Sequence, residues 1–174
     1  LNVIFLLFLF ITGNIGMFGL FKKFDVNLCP EVKGQILLEG KPVAGIKITR
    51  SLTFIEGKAQ VDCVSSDDNG LFNLPEVNIR SSKPGSMFSV EHTRQDIVAE
   101  YNDQKYRLWT SIYPGIGKSP EYAKKLASLN CELTSKLAKF EFKNDKNPNR
   151  DYYATSICRW DDDYKLFEEF DRSN

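Results

Sequence analysis

The stretch from Val32 to Pro75 restricts the fold more than any other part of the chain. Ile36 and Leu38 share one side of an extended run that ends at Gly40-Lys41-Pro42. Glycine accepts the positive φ of a tight hairpin turn, and proline, lacking an N–H, belongs at a strand start or an edge. Ile46 and Ile48 then alternate with Lys47 and Thr49, the period of a half-buried antiparallel strand. A third strand is expected over Ala59–Ser66. After it Asp67-Asp68-Asn69-Gly70 makes a turn, and Phe72 and Leu74 point the next short strand inward.

The same logic runs on to the C-terminus. Residues 79–85 read as a loop and Met87–Glu91 as a strand. Ile97, Ala99 and Tyr101 alternate before Asn102-Asp103-Gln104-Lys105, and Tyr106–Ile112 returns as the partner strand of a hairpin. On that strand Tyr106 and Leu108 are expected on one face, Arg107 and Trp109 on the other. Ser119-Pro120-Glu121 combines a capping hydroxyl, proline in the first turn and an acid near the helix N-terminus, which predicts a helix to Leu129. Ala138, Phe140 and Phe142 alternate with Lys139 and Glu141, and Tyr152–Trp160 supplies the last strand. From Asp161 onward six acids stand against Lys165 and Arg172, a net charge of −4. Tyr164, Phe167 and Phe170, spaced by three, predict a short amphipathic C-terminal helix.

The expected fold is therefore mainly β, an antiparallel sandwich with one inserted helix and a short C-terminal helix. The turns and strands of residues 32–75 resemble the transthyretin-like domains, in particular the carboxypeptidase regulatory-like type. The chain is also similar to an uncharacterised bacterial family, through Met17-Phe-Gly-Leu-Phe-Lys-Lys, Leu28-Cys29-Pro-Glu-Val-Lys-Gly34 and Ser156-Ile-Cys158-Arg-Trp160. The first resemblance implies a transthyretin-like β-sandwich; the sandwich domain is expected over 25–160, followed by an acidic tail over 161–174. The second resemblance carries no activity with it.

Residues 1–24 form a hydrophobic N-terminal segment. Its apolar run, Val3–Ile11, has the size of a signal sequence yet lacks positive charge before it. Two readings stand: a signal or membrane anchor, which puts the domain in the periplasm or on the inner membrane, or a spurious leader before a start at Met17, which leaves it cytoplasmic. Membrane contact is expected through residues 1–21 alone.

The 23 basic and 23 acidic residues cancel, so the chain has no global electrostatic reason to seek nucleic acid. Enzymes on the transthyretin or neighbouring folds draw on several histidines, for hydrolysis, for iron or for zinc. This chain has one, His92, and no nucleophile with an orienting third group beside it. Cys29, Cys63, Cys131 and Cys158 form no closely spaced pair, which argues against a zinc site. In an exported chain they allow three complete pairings, and Cys29–Cys158, flanking the first and last strands, is the pair expected; in a cytosolic chain they are small buried hydrophobes. No catalytic residue, metal or cofactor is expected.

What remains is a non-catalytic binding module whose partner is another protein, one version being a small toxin-neutralising (immunity-type) protein. An envelope structural accessory and an enzyme of unrecognised type are the alternatives. Arg107, Trp109, Tyr113, Arg159 and Trp160 are the candidate binding residues, because Trp, Tyr and Arg dominate interface hot spots.

Overall fold

The computed structural model describes residues 22–84 and 90–170. The expected signal, anchor or leader lies outside the described residues as far as residue 21, and so does most of the expected strand at 87–91. The chain is mainly β, with thirteen strands and one short helix among the described residues.

The largest sheet has seven strands in the order β13-β11-β12-β9-β8-β4-β5, comprising β4 (Lys47–Phe54), β5 (Gln60–Ser65), β8 (His92–Tyr101), β9 (Gln104–Pro114), β11 (Leu137–Phe142), β12 (Tyr152–Ser156) and β13 (Lys165–Phe170). A second sheet centres on β2 (Val32–Leu38). There β10 (Leu129–Glu132) is one neighbour, and β3 (Lys41–Pro42) and β6 (Leu71–Leu74) both pair with β2. A two-stranded sheet pairs β1 (Phe24–Cys29) with β7 (Val77–Ser81). One buried cluster draws side chains from all three sheets, among them Val26, Ile36, Ile48, Phe72, Trp109 and Phe140.

The two turns that restrict the sequence form as the chemistry requires. The first sits one residue earlier than expected, on Glu39 and Gly40, both at positive φ. Glu132 on β10 accepts both of their N–H groups, at 3.0 and 2.9 Å, which holds a non-glycine residue in the left-handed region. In the second, Asp67 Oδ1 accepts the N–H groups of Asn69 and Leu71. The β8–β9 hairpin turns on Asn102 and Asp103, again at positive φ.

Four expectations change. The sheets are not wholly antiparallel: β10 runs parallel to β2. Gly34 makes this pairing possible, since a Cβ there would lie 2.0 Å from the Leu129 carbonyl oxygen. The helix, α1 (Pro120–Leu126), stops short of Leu129, which opens β10 instead, and the Ser119 hydroxyl bonds Glu121 rather than capping the helix backbone. Residues 79–81, part of the stretch 79–85 read as a loop, belong instead to β7. The C-terminal helix is replaced by β13, paired antiparallel with β11. A segment of this length gains too few internal hydrogen bonds to hold a helix. A waiting sheet edge offers a full ladder, with Lys165–Glu141 and Arg159–Glu169 ion pairs across it.

The cysteines pair differently as well. Cys131 and Cys158 form a disulfide, and Cys29 and Cys63 are free. Cys29 pairs with Val77 on the two-stranded sheet, whereas Cys131 on β10 forms a bridge directly to Cys158.

Candidate functional site

Strand β9 carries three of the five candidate binding residues, and a bulge decides where they point. Arg107 pairs with Val98 and Trp109 with Ile97, so Leu108 is an extra residue against β8. The insertion shifts the alternation by one. Leu108 and Trp109 are both buried, Tyr113 follows Trp109 inward, and Arg107 alone is left on the exposed face. Arg107 and Trp109 therefore share no surface.

Trp109 is the hub of an aromatic cluster, with Tyr122, Phe140, Phe142 and Trp160 around it at centroid distances of 5.9–6.3 Å. Its indole N–H donates to Gln95 Oε1 at 3.0 Å, and Gln95 Nε2 donates to the Leu28 carbonyl at 2.8 Å. This buried chain ties β9 and β8 to β1 and satisfies each polar atom on the way. The Tyr113 hydroxyl donates to the Gly117 carbonyl at 2.8 Å and accepts the Ser119 N–H at 2.7 Å. Burial pushes Tyr113 up to about 12 and Tyr122 further up. Both phenols stay protonated at neutral pH.

Trp160 is half-buried on the rim of this cluster, and its indole N–H donates to the Lys125 carbonyl. Arg159 is fully engaged by the carbonyls of Ser156, Cys158 and Lys136 and by Glu169. Of the five candidates, then, Trp109 and Trp160 touch and Tyr113 joins them through Tyr122. Arg159 braces the C-terminal strand, and Arg107 stands apart.

Sequence reasoning missed Lys125. It lies three residues after Tyr122 and next to Leu126 on the buried stripe of α1, a spacing that could have flagged it. Its ammonium donates to the Asp162 carbonyl at 2.7 Å and sits 5.4 Å from the ring centres of Trp160 and Tyr164. Burial pulls its pKa down, with Asp163 and Asp162 opposing. A half-open cleft of about 340 Å³ adjoins it, lined by Glu121, Lys124, Phe142 and Asp163. Within it Lys124 is paired with Asp162 and Asp163, and Glu121 accepts hydrogen bonds from the Ser119 hydroxyl and the Asp145 N–H.

A second missed group is Arg50, fully buried on β4. Its Nε and Nη2 donate to the two oxygens of Asp62 at 3.0 and 2.5 Å, while Nη1 has no hydrogen-bond partner. Cys29 lies beside it. Burial raises the thiol to about 11 despite the guanidinium, so Cys29 is an unreactive thiol at neutral pH. His92 holds its Nδ1 2.9 Å from the Val90 carbonyl. Among the described residues no group of three or more His, Cys, Asp or Glu side chains is placed to hold a metal ion. Nor is any described helix long and apolar enough to cross a membrane.

The outer face of the seven-stranded sheet is chemically different. Ile112, Tyr153 and Phe167 are exposed there on β9, β12 and β13. Lys139 lies between two of them, its ammonium 5.5 Å from the Tyr153 ring centre and 5.2 Å from that of Phe167. Ser111 pairs with Ala154, which sets Ile112 beside Tyr153. The result is one apolar and aromatic patch across four strands.

A family model described as a domain of unknown function, DUF6795, matches residues 32–136, well over half of the chain. The chain belongs to this family. The DUF6795 segment spans β2 to β10 and ends before β11. It thus includes Trp109 and Tyr113 but not Arg159 or Trp160. No curated protein and no solved structure matches the chain.

Proposed function

We propose that the chain is a non-catalytic protein-binding module whose sheets make a transthyretin-like sandwich, and that it meets its partner through the outer face of the large sheet. The observation that carries the reading is the Ile112–Tyr153–Lys139–Phe167 patch. Exposed apolar side chains are ordinary when scattered, but a contiguous group with aromatic members marks an interaction surface. The inward candidates Trp109 and Tyr113 act as core. Their polar atoms are spent on Gln95, Gly117 and Ser119, which leaves nothing to offer a ligand.

A pull-down of the full chain from its native host tests the reading. One stoichiometric protein partner is expected. The variant Ile112→Arg/Phe167→Glu should lose it with an unchanged melting temperature, and Arg107→Ala should retain it. Absence of a partner, or a partner kept by the double variant, overturns the proposal.

A further inference from the structure

The seven-stranded sheet ends on β13 and β5, and the two ends are built differently. β13 carries Lys165, Glu168 and Glu169, charges of the kind that discourage another strand from pairing. Between Val61 and Ser65, β5 carries a single charge, Asp62, and that carboxylate is turned to Arg50 on β4. The Ser66 N–H donates to the Ile46 carbonyl at 2.9 Å. Donors and acceptors alternate sides along an antiparallel ladder, so Val64, Asp62 and Gln60 also face β4. The N–H and C=O groups of Val61, Cys63 and Ser65 face the other way, an edge that no strand pairs among the described residues. The side chains of these three residues are exposed too.

We propose that a second copy of this chain pairs its β5 antiparallel to this one, about a two-fold axis at Cys63. Charge selects both the occupant and the register. Exposed Lys58 precedes the strand and exposed Asp67 and Asp68 follow it, so antiparallel pairing brings Lys58 of each copy to the acidic turn of the other, twice. With Cys63 opposite Cys63, Val61 meets Ser65 and every outward-facing backbone group from Val61 to Ser65 is paired. Centring on Asp62 instead sets Asp62 against Asp62. Centring on Val64 carries Lys58 past the acids to Gly70. The Cys63 register alone has opposite charges facing and no like charges opposed.

The test is the mass of the full chain by sedimentation from micromolar to millimolar concentration, with a short bis-maleimide as cross-linker. The wild type should double its mass and cross-link through Cys63. Cys63→Ser should keep the dimer and lose the cross-link. Val61→Pro removes an N–H that faces the open edge and leaves the β4 ladder intact, so a folded monomer is expected. Val61→Lys, which keeps the backbone N–H and adds a charge, should give monomers as well. A wild type that stays monomeric, a dimer that resists cross-linking at Cys63, or association that survives both Val61 variants overturns the proposal.

Discussion

Removing Asp62 should cost far more stability than removing Arg50, although the two form one ion pair. The Arg50 side chain has no solvent exposure, whereas that of Asp62 is 41% exposed. Asp62→Ala strands a buried guanidinium that already has one unpartnered nitrogen. Breaking a buried pair in this way costs about 3–5 kcal/mol. Water can reach the vacated side of β5, which places the expected value near 3 kcal/mol, at the low end of that range. Arg50→Met instead fills the same space with an apolar chain and leaves a carboxylate that rehydrates, so a change within about 1 kcal/mol of wild type is expected. Urea denaturation followed by the fluorescence of buried Trp109 measures both, and the double variant completes the cycle. If Arg50→Met proves the more damaging, or both cost under about 1 kcal/mol, the burial argument for this pair is wrong.

Four further outcomes follow from the described contacts. Gly34→Ala should lower stability by about 1–3 kcal/mol or more and weaken β10, read as faster amide exchange over 129–132, because the new methyl meets backbone rather than a movable side chain. The Cys131–Cys158 disulfide closes a separation of 27 residues, so opening it should cost about 3–4 kcal/mol in the chain-entropy account, seen as a lower melting temperature in reductant. Native thiol labelling should reach Cys63 and spare Cys29 until the chain unfolds. Glu76, Glu121 and Glu132 all titrate below their ordinary value of 4.5 in the folded chain; Lys118 and Asn78 hold Glu76 down, while hydrogen bonds to Glu121 and Glu132 outweigh their burial. Groups depressed on folding contribute stability above the unfolded value and lose it as pH falls through the folded one. The melting temperature should therefore be flat just above pH 4.5 and fall below it.

Alternation and turn chemistry were legible in the sequence, and they placed much of the core. Ile36, Ile46, Ile48, Phe72 and Leu74 are buried together as their spacing implies, with Leu38 partly so, and the Asn102–Asp103 hairpin forms. What sequence pattern could not carry is pairing decided at a distance. The Leu108 bulge depends on β8 and turns Trp109 from surface to core. The spacing of Tyr164, Phe167 and Phe170 fits a helix, and only the free edge of β11 makes that segment a strand. Cys131 finds Cys158 because β10 crosses to β2, a step that rests on the missing side chain of Gly34. The patch at Ile112, Tyr153 and Phe167 escaped notice because its members lie on three strands far apart in the chain.

The position of β12 has a consequence for vectorial synthesis. β12 lies between β9 and β11, so the strand that covers the flank of β9 is made only after α1, β10 and β11. At about 5–20 residues per second the nascent chain carries β9 paired with β8 alone for several seconds, with Trp109 lacking Phe140, Phe142 and Trp160. The family segment alone, residues 32–136, ends in that half-built state. A nascent chain stalled there should be captured by chaperones and cut readily by proteases, and release of the remaining residues should abolish both. The segment that the family model matches thus stops short of β11, β12 and β13, which complete the large sheet.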